Sequence, residues 1–333
     1  SSVYILRFSY FLFAVLLLSC DDPNHFISVK NNGNAQGTYY HIEYISENGI
    51  DFQNEIDSIL NEVDKSLSTY NAYSTISLIN NDKTFKTDSL FNKVFSAAKK
   101  VYQETDGAFD CTVSPIVNSL GFGFTKKDDA IDSVKIKELL SFVDFSKVVL
   151  TEDSIFKPKG MSLDFNAIAQ GFSIDLISEF LEYKGCFNYI IELGGELRVN
   201  GVNSEKKPWR VGIENPFESK DLNHFSCIME IKNNSLATSG NYRRFFQSEE
   251  DRYTHIVNPF NGDAKVNELL SVSVIHNDCM FADAYATAFM VIGLEKSKKL
   301  AKKLGLSVYI IYKDINNEPA VYYSSDLKKT IIN

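Results

Sequence analysis

The chain is short of several things that would each mark a class of protein. It has one Trp and only five His among 333 residues. Its five Cys include no Cys-x-x-Cys pair, which argues against a zinc knuckle and a disulfide-dense scaffold. No internal repeat of about 20–50 residues is visible, so a solenoid or propeller does not fit. Cations are in the minority: 34 Lys and Arg stand against 43 Asp and Glu, a net charge of −9. An acidic chain without a basic tail is a poor partner for nucleic acid, because that binding rests on neutralising phosphates. What remains is globular in texture, with 44% hydrophobic and 23% charged residues. The 25 Phe and 17 Tyr can fill a sizeable core, and the length suits one large domain or two ordinary ones.

The N-terminus is a different material. Phe8 to Leu18 reads FSYFLFAVLLL behind Arg7, with no acidic residue before Asp21. A short apolar run behind a basic residue has the pattern of a secretory signal. It is shorter than the roughly 20 residues of a permanent spanning helix. The run ends in Leu17-Leu18-Ser19-Cys20, which resembles a bacterial lipoprotein processing site. Residues 1–19 are therefore expected to be removed, and Cys20 to carry lipid and hold the protein to a membrane. Residues 20–34 are polar, with Pro23, Gly33 and several Asn, and are read as a tether. The domain then occupies 35–333.

Hydrophobic spacing supplies the elements. Tyr39–Ile45 alternates like a strand, and Ile56, Ile59, Leu60, Val63 and Leu67 predict a helix over Asp51–Ser66. A second helix is centred on Leu90–Tyr102 and stopped by Asp106-Gly107, and a third runs from Ala167 to Tyr183 before Gly185. Short β-branched or aromatic runs at Tyr189–Ile191, Leu197–Val199, Arg210–Ile213, Cys227–Ile231, Thr254–Val257 and Leu270–Ile275 read as strands. Helices at Phe281–Ile292 and Glu295–Leu304 and a strand at Val308–Tyr312 follow. Partial segregation of helices from strands predicts an α+β fold. The Lys298, Lys299, Lys302, Lys303 cluster is read as a solvated helix face, and Cys111, Cys186, Cys227 and Cys279 as unpaired thiols.

Four stretches can carry chemistry. Asp283 and Thr287 are four apart in Phe281–Thr287, so a helix stacks them on one face. A carboxylate and a hydroxyl there suit a hard cation such as Mg²⁺, although an Asp near a helix start also serves as a cap. Asp164 to Asp175 sets small residues at a helix N-terminus, where amides and the dipole favour phosphate; Asp164 and Asn166 are equally good caps. Gly194-Gly195 fits a turn or the close approach of a ligand. His255 lies beside an apolar run, where a single His is more often structural than catalytic.

Taken in order, nine stretches resemble the FAD:protein FMN transferases, the ApbE family. They are Gly37–Tyr40; Leu67–Tyr70 with Ser77 and Asn80; Thr105–Asp110; Asp164–Asp175; Glu192–Glu196; Trp209–Pro216; Thr238–Arg243; His255–Pro259; and Ala282–Thr287. The resemblance runs from about Gly37 to at least Gly293.

It implies an α+β fold of two lobes, with mixed or antiparallel sheets, flanking helices and FAD in the cleft between the lobes. It also implies a Mg²⁺-dependent reaction in which FMN passes from FAD to a Ser or Thr hydroxyl of a target redox protein, releasing AMP. On this resemblance Asp283, Thr287 and the Ala167 carbonyl fall at metal positions, and His255 at that of the general base. Tyr39, Ser68, Thr69, Tyr70, Asp110, Gln170 and Ile256 fall where the family contacts FAD. Gln170 departs from the Lys that many members carry, keeping hydrogen bonds but losing a cation. A lipid anchor facing the periplasm of a bacterial envelope also fits. Hydrolysis of FAD to FMN and AMP, and a lipid-anchored protein that binds FAD without turning it over, remain as alternatives.

Overall fold

The computed structural model describes residues 25–121, 133–216, 225–241, 245–247, 252–264 and 267–332. The signal segment, Cys20, and Tyr242, Arg243 and Arg244 lie outside the described residues.

The chain opens with strands β1 (Phe26–Ala35) and β2 (Thr38–Glu47). Helices α1 (Gln53–Leu67), α2 (Thr75–Asn80), α3 (Ser89–Glu104), α4 (Ser114–Ser119) and α5 (Ser133–Leu140) follow. A small hairpin of β3 (Val149–Leu150) and β4 (Ile155–Phe156) leads into the long α6 (Asn166–Tyr183). Then come β5 (Tyr189–Leu193), β6 (Glu196–Asn200), β7 (Trp209–Glu214), β8 (Phe225–Ile231), β9 (Asn234–Gly240), β10 (Phe245–Gln247), β11 (Arg252–Thr254) and β12 (Leu269–His276). Helices α7 (Cys279–Ile292) and α8 (Leu294–Leu304) and strands β13 (Ser307–Lys313) and β14 (Pro319–Tyr323) complete it.

Eight strands form one sheet in the order β1-β2-β5-β6-β9-β12-β13-β14, every neighbouring pair antiparallel. Alternation assigns its two faces. Val272, Val274, Val308 and Ile310 join the core beneath α3, α6 and α7. Tyr40, Ile42, Tyr44, Tyr189 and Ile191 pack with α1 and α6. The opposite face, through Leu197, Leu236, Tyr309 and Ile311, is covered by the β7–β8 hairpin with Trp209, Val211, Met229 and Ile231. Helices pack on one face and a β-hairpin on the other, and the α+β expectation holds.

Two expectations need correction. Residues 26–34, read as part of a tether, are strand β1. Only Asn31 in it is buried, so no apolar alternation announced it. It is an edge strand, held by a two-residue turn in which Gln36 (φ 52°) and Gly37 (φ 74°) both take left-handed conformations. The strand expected at Thr254–Val257 ends at Thr254, and His255 begins a bend.

The described cysteines, Cys111, Cys186, Cys227 and Cys279, are free and buried. Lys299, Lys302 and Lys303 lie on α8, which ends at Gly305 in the left-handed region (φ 68°).

Helices α6 and α7 approach each other closely at Gly171 of α6. A Cβ there would stand 2.5 Å from the Cys279 carbonyl oxygen and 2.7 Å from the Met280 Cα. Both are backbone atoms, so the two helices would have to separate. Gly171→Ala is therefore expected to cost about 1–3 kcal/mol, the usual price of overpacking, and to lower the melting temperature by several degrees. Calorimetry checks this, and an unchanged melting temperature would show that α6 and α7 can part freely.

Candidate active site

A cleft of about 640 Å³ opens where α1, α6, α7 and the sheet meet, a size ordinary for a cofactor site. Its floor comes from α7, which presents Asp283 and Thr287 one turn apart. Its near wall is the start of α6, with Ala167 and Gln170. Ser68 and Tyr70 at the end of α1, and Asp110 in the loop after α3, form the far wall. The β5–β6 turn adds Gly194 and Glu196, and the end of β9 adds Ser239. His255 and Ile256 close it from the bend after β11.

The structure thus brings together His255, Ser68, Tyr70, Asp110, Gln170, Ile256, Ala167, Asp283 and Thr287. Two expected residues stand apart. Thr69 is buried behind the cleft wall. Tyr39, 58% exposed, lines a neighbouring groove that shares Gln36, Gly37, Thr38 and Asp64 with the cleft.

Asp283 does not cap its helix. The helix begins at Cys279 after Asp278, so Asp283 sits in the second turn. A metal ligand open to solvent would be exposed, but Asp283 is only 6% exposed, because α6 covers it. Its Oδ2 accepts a hydrogen bond from the Gly171 N–H at 3.3 Å. Burial pushes its carboxyl well above the usual range, and the Glu196 carboxylate pushes the same way. The Gly171 amide opposes them. Thr287 Oγ1 lies 2.9 Å from Ser239 Oγ, which fixes that hydroxyl over the end of β9.

Ala167 has φ −86° and ψ 15°, outside the helical values of its neighbours. The change in ψ turns the peptide carrying its carbonyl away from the helix direction. Gly171, four residues on, gives its N–H to Asp283. Carbonyl, carboxylate and hydroxyl are all hard oxygen donors, the set Mg²⁺ prefers. Among the described residues no group of three or more His, Cys, Asp or Glu could hold a metal, so a soft-metal or zinc cage is not what this site offers. A dication beside Asp283 and Glu196 would offset the charge that their burial disfavours.

The cleft is acidic. Asp64, Asp110, Asp164, Glu196 and Asp283 all line it. Asp164 is pushed up to about 6 by burial, against a 2.7 Å bond from the Asn166 N–H that makes it the turn residue before α6. Asp110 is raised by burial and held down by the Thr112 N–H (2.7 Å), the Thr112 hydroxyl (2.5 Å) and the Phe145 N–H (3.1 Å). Those bonds make Asp110 the brace of its loop as well as a lining residue. Gln170 lies against the β5–β6 turn: a Cβ on Gly194 would meet its Nε2 at 3.0 Å, and Gly194 has φ 69°. The bare backbone there is what admits the amide.

Glu196 and Ser239 were quoted within sequence stretches without a role, and pairing of β5–β6–β9 is what carries them into the cleft. Asp64 and Gln36 had no signal at all in the sequence; the packing of α1 beside the β1–β2 turn places them.

Comparison with known proteins agrees with this geometry. Residues 36–310 match the ApbE family. A Vibrio cholerae protein named FAD:protein FMN transferase is 32% identical over 308 residues, covering 90% of this chain and 91% of the relative. Its namesake in Haemophilus influenzae is 31% identical over 318 residues, 91% of each chain. The solved flavin transferase ApbE from Vibrio cholerae superposes with a TM-score of 0.82 at 31% identity, over 92% of this chain and all of that one. The apo flavinyl transferase ApbE from Pseudomonas stutzeri gives 0.82 at 26% identity, over 92% and 97%. A match across the cleft-forming elements, at this identity and over nearly the full length of each relative, makes the chain a member of the ApbE family.

Proposed function

We propose that this protein transfers FMN from FAD to a Ser or Thr hydroxyl of a target redox protein and releases AMP. The observation that carries the reading is the cleft itself, which Ala167 of α6 and Asp283 and Thr287 of α7 line together with His255 from a separate loop. The family relatives named for this activity support it.

In the balanced step the acceptor oxygen bonds to the phosphorus of the FMN half. The bridging P–O bond breaks, and AMP leaves with the bridging oxygen. His255 takes the hydroxyl proton as the new bond forms, a task that suits an imidazole near neutral pH. Asp283, Thr287 and the Ala167 carbonyl would hold Mg²⁺. The ion would neutralise charge on the pyrophosphate, which is otherwise repelled by the acidic lining. Gln170, Ser68, Tyr70, Asp110 and Ile256 would position FAD, with Gln170 offering hydrogen bonds where a Lys would offer charge. Tyr39 would meet an end of FAD that extends into the neighbouring groove, and buried Thr69 would act by holding Ser68 and Tyr70.

We place the protein at a bacterial cell envelope, lipid-anchored through Cys20 and facing the periplasm. The Ser19-Cys20 junction behind an apolar run supports this. Among the described residues no helix is long and apolar enough to cross a membrane.

Asp283→Asn should fold, yet lower Mg²⁺-dependent AMP release about a hundredfold or more, the worth of a few kcal/mol of charge stabilisation. Unaltered release at limiting Mg²⁺ would remove Asp283 from the metal site. His255→Ala should slow single-turnover FMN transfer by about 10²–10⁴-fold while FAD binding is retained. Near-normal transfer would exclude the base role, and lost FAD binding would make His255 structural. Cys20→Ala should move the protein from the membrane to the soluble fraction, and complete retention in membranes would sink the anchor.

A further inference from the structure

We propose that Asp175, which lies outside the cleft, is a positioning residue for Asp283 and Thr287: it fixes the start of α7 on α6 and so sets the height and rotation at which α7 presents them. This rests on the metal reading above.

Helix α7 has no side-chain cap of its own, because Asp278 makes no capping bond. Its first amides are orphan donors that need acceptors. Asp175 of α6 supplies them from across the interface. Its Oδ1 accepts the Cys279 N–H at 2.8 Å, and its Oδ2 accepts the Met280 N–H at 2.9 Å. Arg198 of β6 donates Nη1 to the same Oδ1 at 2.9 Å and to the Asn277 carbonyl at 3.0 Å. The sheet, α6 and the residue pair before α7 are thereby tied at one point. Asp175 is buried and does not line the cleft.

The arrangement is reciprocal. Asp175 lies four residues after Gly171 on α6, and Asp283 lies four after Cys279 on α7. The α6 carboxylate takes α7 amides, and the α7 carboxylate takes the Gly171 amide of α6. Two ties one turn apart fix both translation and rotation of α7, which neither could do alone. Side-chain packing at a bare Gly171 would otherwise allow sliding, since Gly offers no knob to lock the register. A shift at Cys279 carries Asp283 and Thr287 with it, while Ala167 stays on α6. The carbonyl, carboxylate and hydroxyl would then no longer converge.

The test is Asp175→Asn in the full chain. An Asn keeps the volume but offers one acceptor oxygen and sets its NH₂ against an amide donor. Amide exchange at Gly171, measured without metal, should quicken about tenfold or more as the Gly171–Asp283 bond loosens. Calorimetric Mg²⁺ affinity and the Mg²⁺ needed for half-maximal AMP release should both worsen about tenfold, the usual scale for a group supporting metal ligands. Turnover at saturating Mg²⁺ and FAD affinity should stay within about threefold. A drop in melting temperature with unchanged Mg²⁺ affinity would make Asp175 mere helix glue and overturn the proposal. Unchanged Gly171 exchange would overturn it as well. Should the variant fail to fold, Arg198→Gln leaves both amide bonds in place and should weaken Mg²⁺ affinity about threefold; no shift there overturns the assignment. A wild-type protein that releases AMP without Mg²⁺ would instead refute the metal reading, and Gly171 exchange would still report separately whether the two helices are clasped.

Discussion

The contact between α6 and α7 at Gly171 is the constraint on which the site depends. No other residue type fits there without moving backbone. The absence of a side chain lets the Gly171 amide reach Asp283. The same closeness buries Asp283 and keeps the kinked Ala167 opposite it. One glycine thus joins a packing fact to an electrostatic one. A looser helix pair would leave the carboxylate in water, where it would be an ordinary surface acid with little hold on a cation.

Electrostatics then explain why a protein of net charge −9 can handle an anionic dinucleotide. The lining acids would not attract pyrophosphate; on the proposed reading they concentrate positive charge. Burial and the Glu196 carboxylate both disfavour the ionised form of Asp283, the Gly171 amide offsets part of that, and a nearby cation would offset more. Gln170 fits this scheme. With the charge supplied by an ion, the residue beside the β5–β6 turn needs hydrogen-bonding capacity more than charge. Its amide finds space only because Gly194 is bare. On the proposed reading the phosphate-handling chemistry is distributed: oxygen donors on two helices, an amide near the start of α6, and helix-terminal backbone around it.

The periodic elements were legible in the sequence because burial imposes period. The helix predicted at Asp51–Ser66 is Gln53–Leu67, and the one at Phe281–Ile292 is Cys279–Ile292. Strand β1 was hidden because an edge strand with one neighbour can be polar on both faces. Strand β9, Asn234–Gly240, was missed for the converse reason: its residues are small, Ser235, Leu236 and Ala237 are buried in mid-sheet, and it has no large β-branched run. The site residues were visible as short stretches, but not their mutual geometry. Asp283 illustrates the limit. Spacing put it on a face with Thr287, yet whether it capped the helix or faced a cation depended on where α7 begins. That start is set by Asp175, more than a hundred positions earlier. Hydrogen bonds of such sequence separation leave no local pattern to read.

The division of labour in the cleft follows from what each part must do. Asp283, Thr287 and Ala167 sit on two helices locked together, as the proposed cation site, with its small tolerance in distance, would require. His255 comes instead from a bend just past β11, and Ile256 beside it bonds its N–H to the Thr254 hydroxyl at 3.3 Å. In the proposed role as base, His255 would meet a hydroxyl delivered by another protein, so its position would have to accept some variation in approach. Loops on a rigid scaffold suit that demand. The bend is not loose, however: Asn258 donates its N–H to the Asp263 carbonyl at 2.7 Å and accepts from the Gly262 N–H at 2.8 Å through its own carbonyl. Val257 is buried in the small core that holds Ile116 and Ala264. His255 is thus carried on an anchored bend in the same cleft as the floor formed by α7. The space between them is where the phosphorus of FAD and an incoming hydroxyl would have to meet.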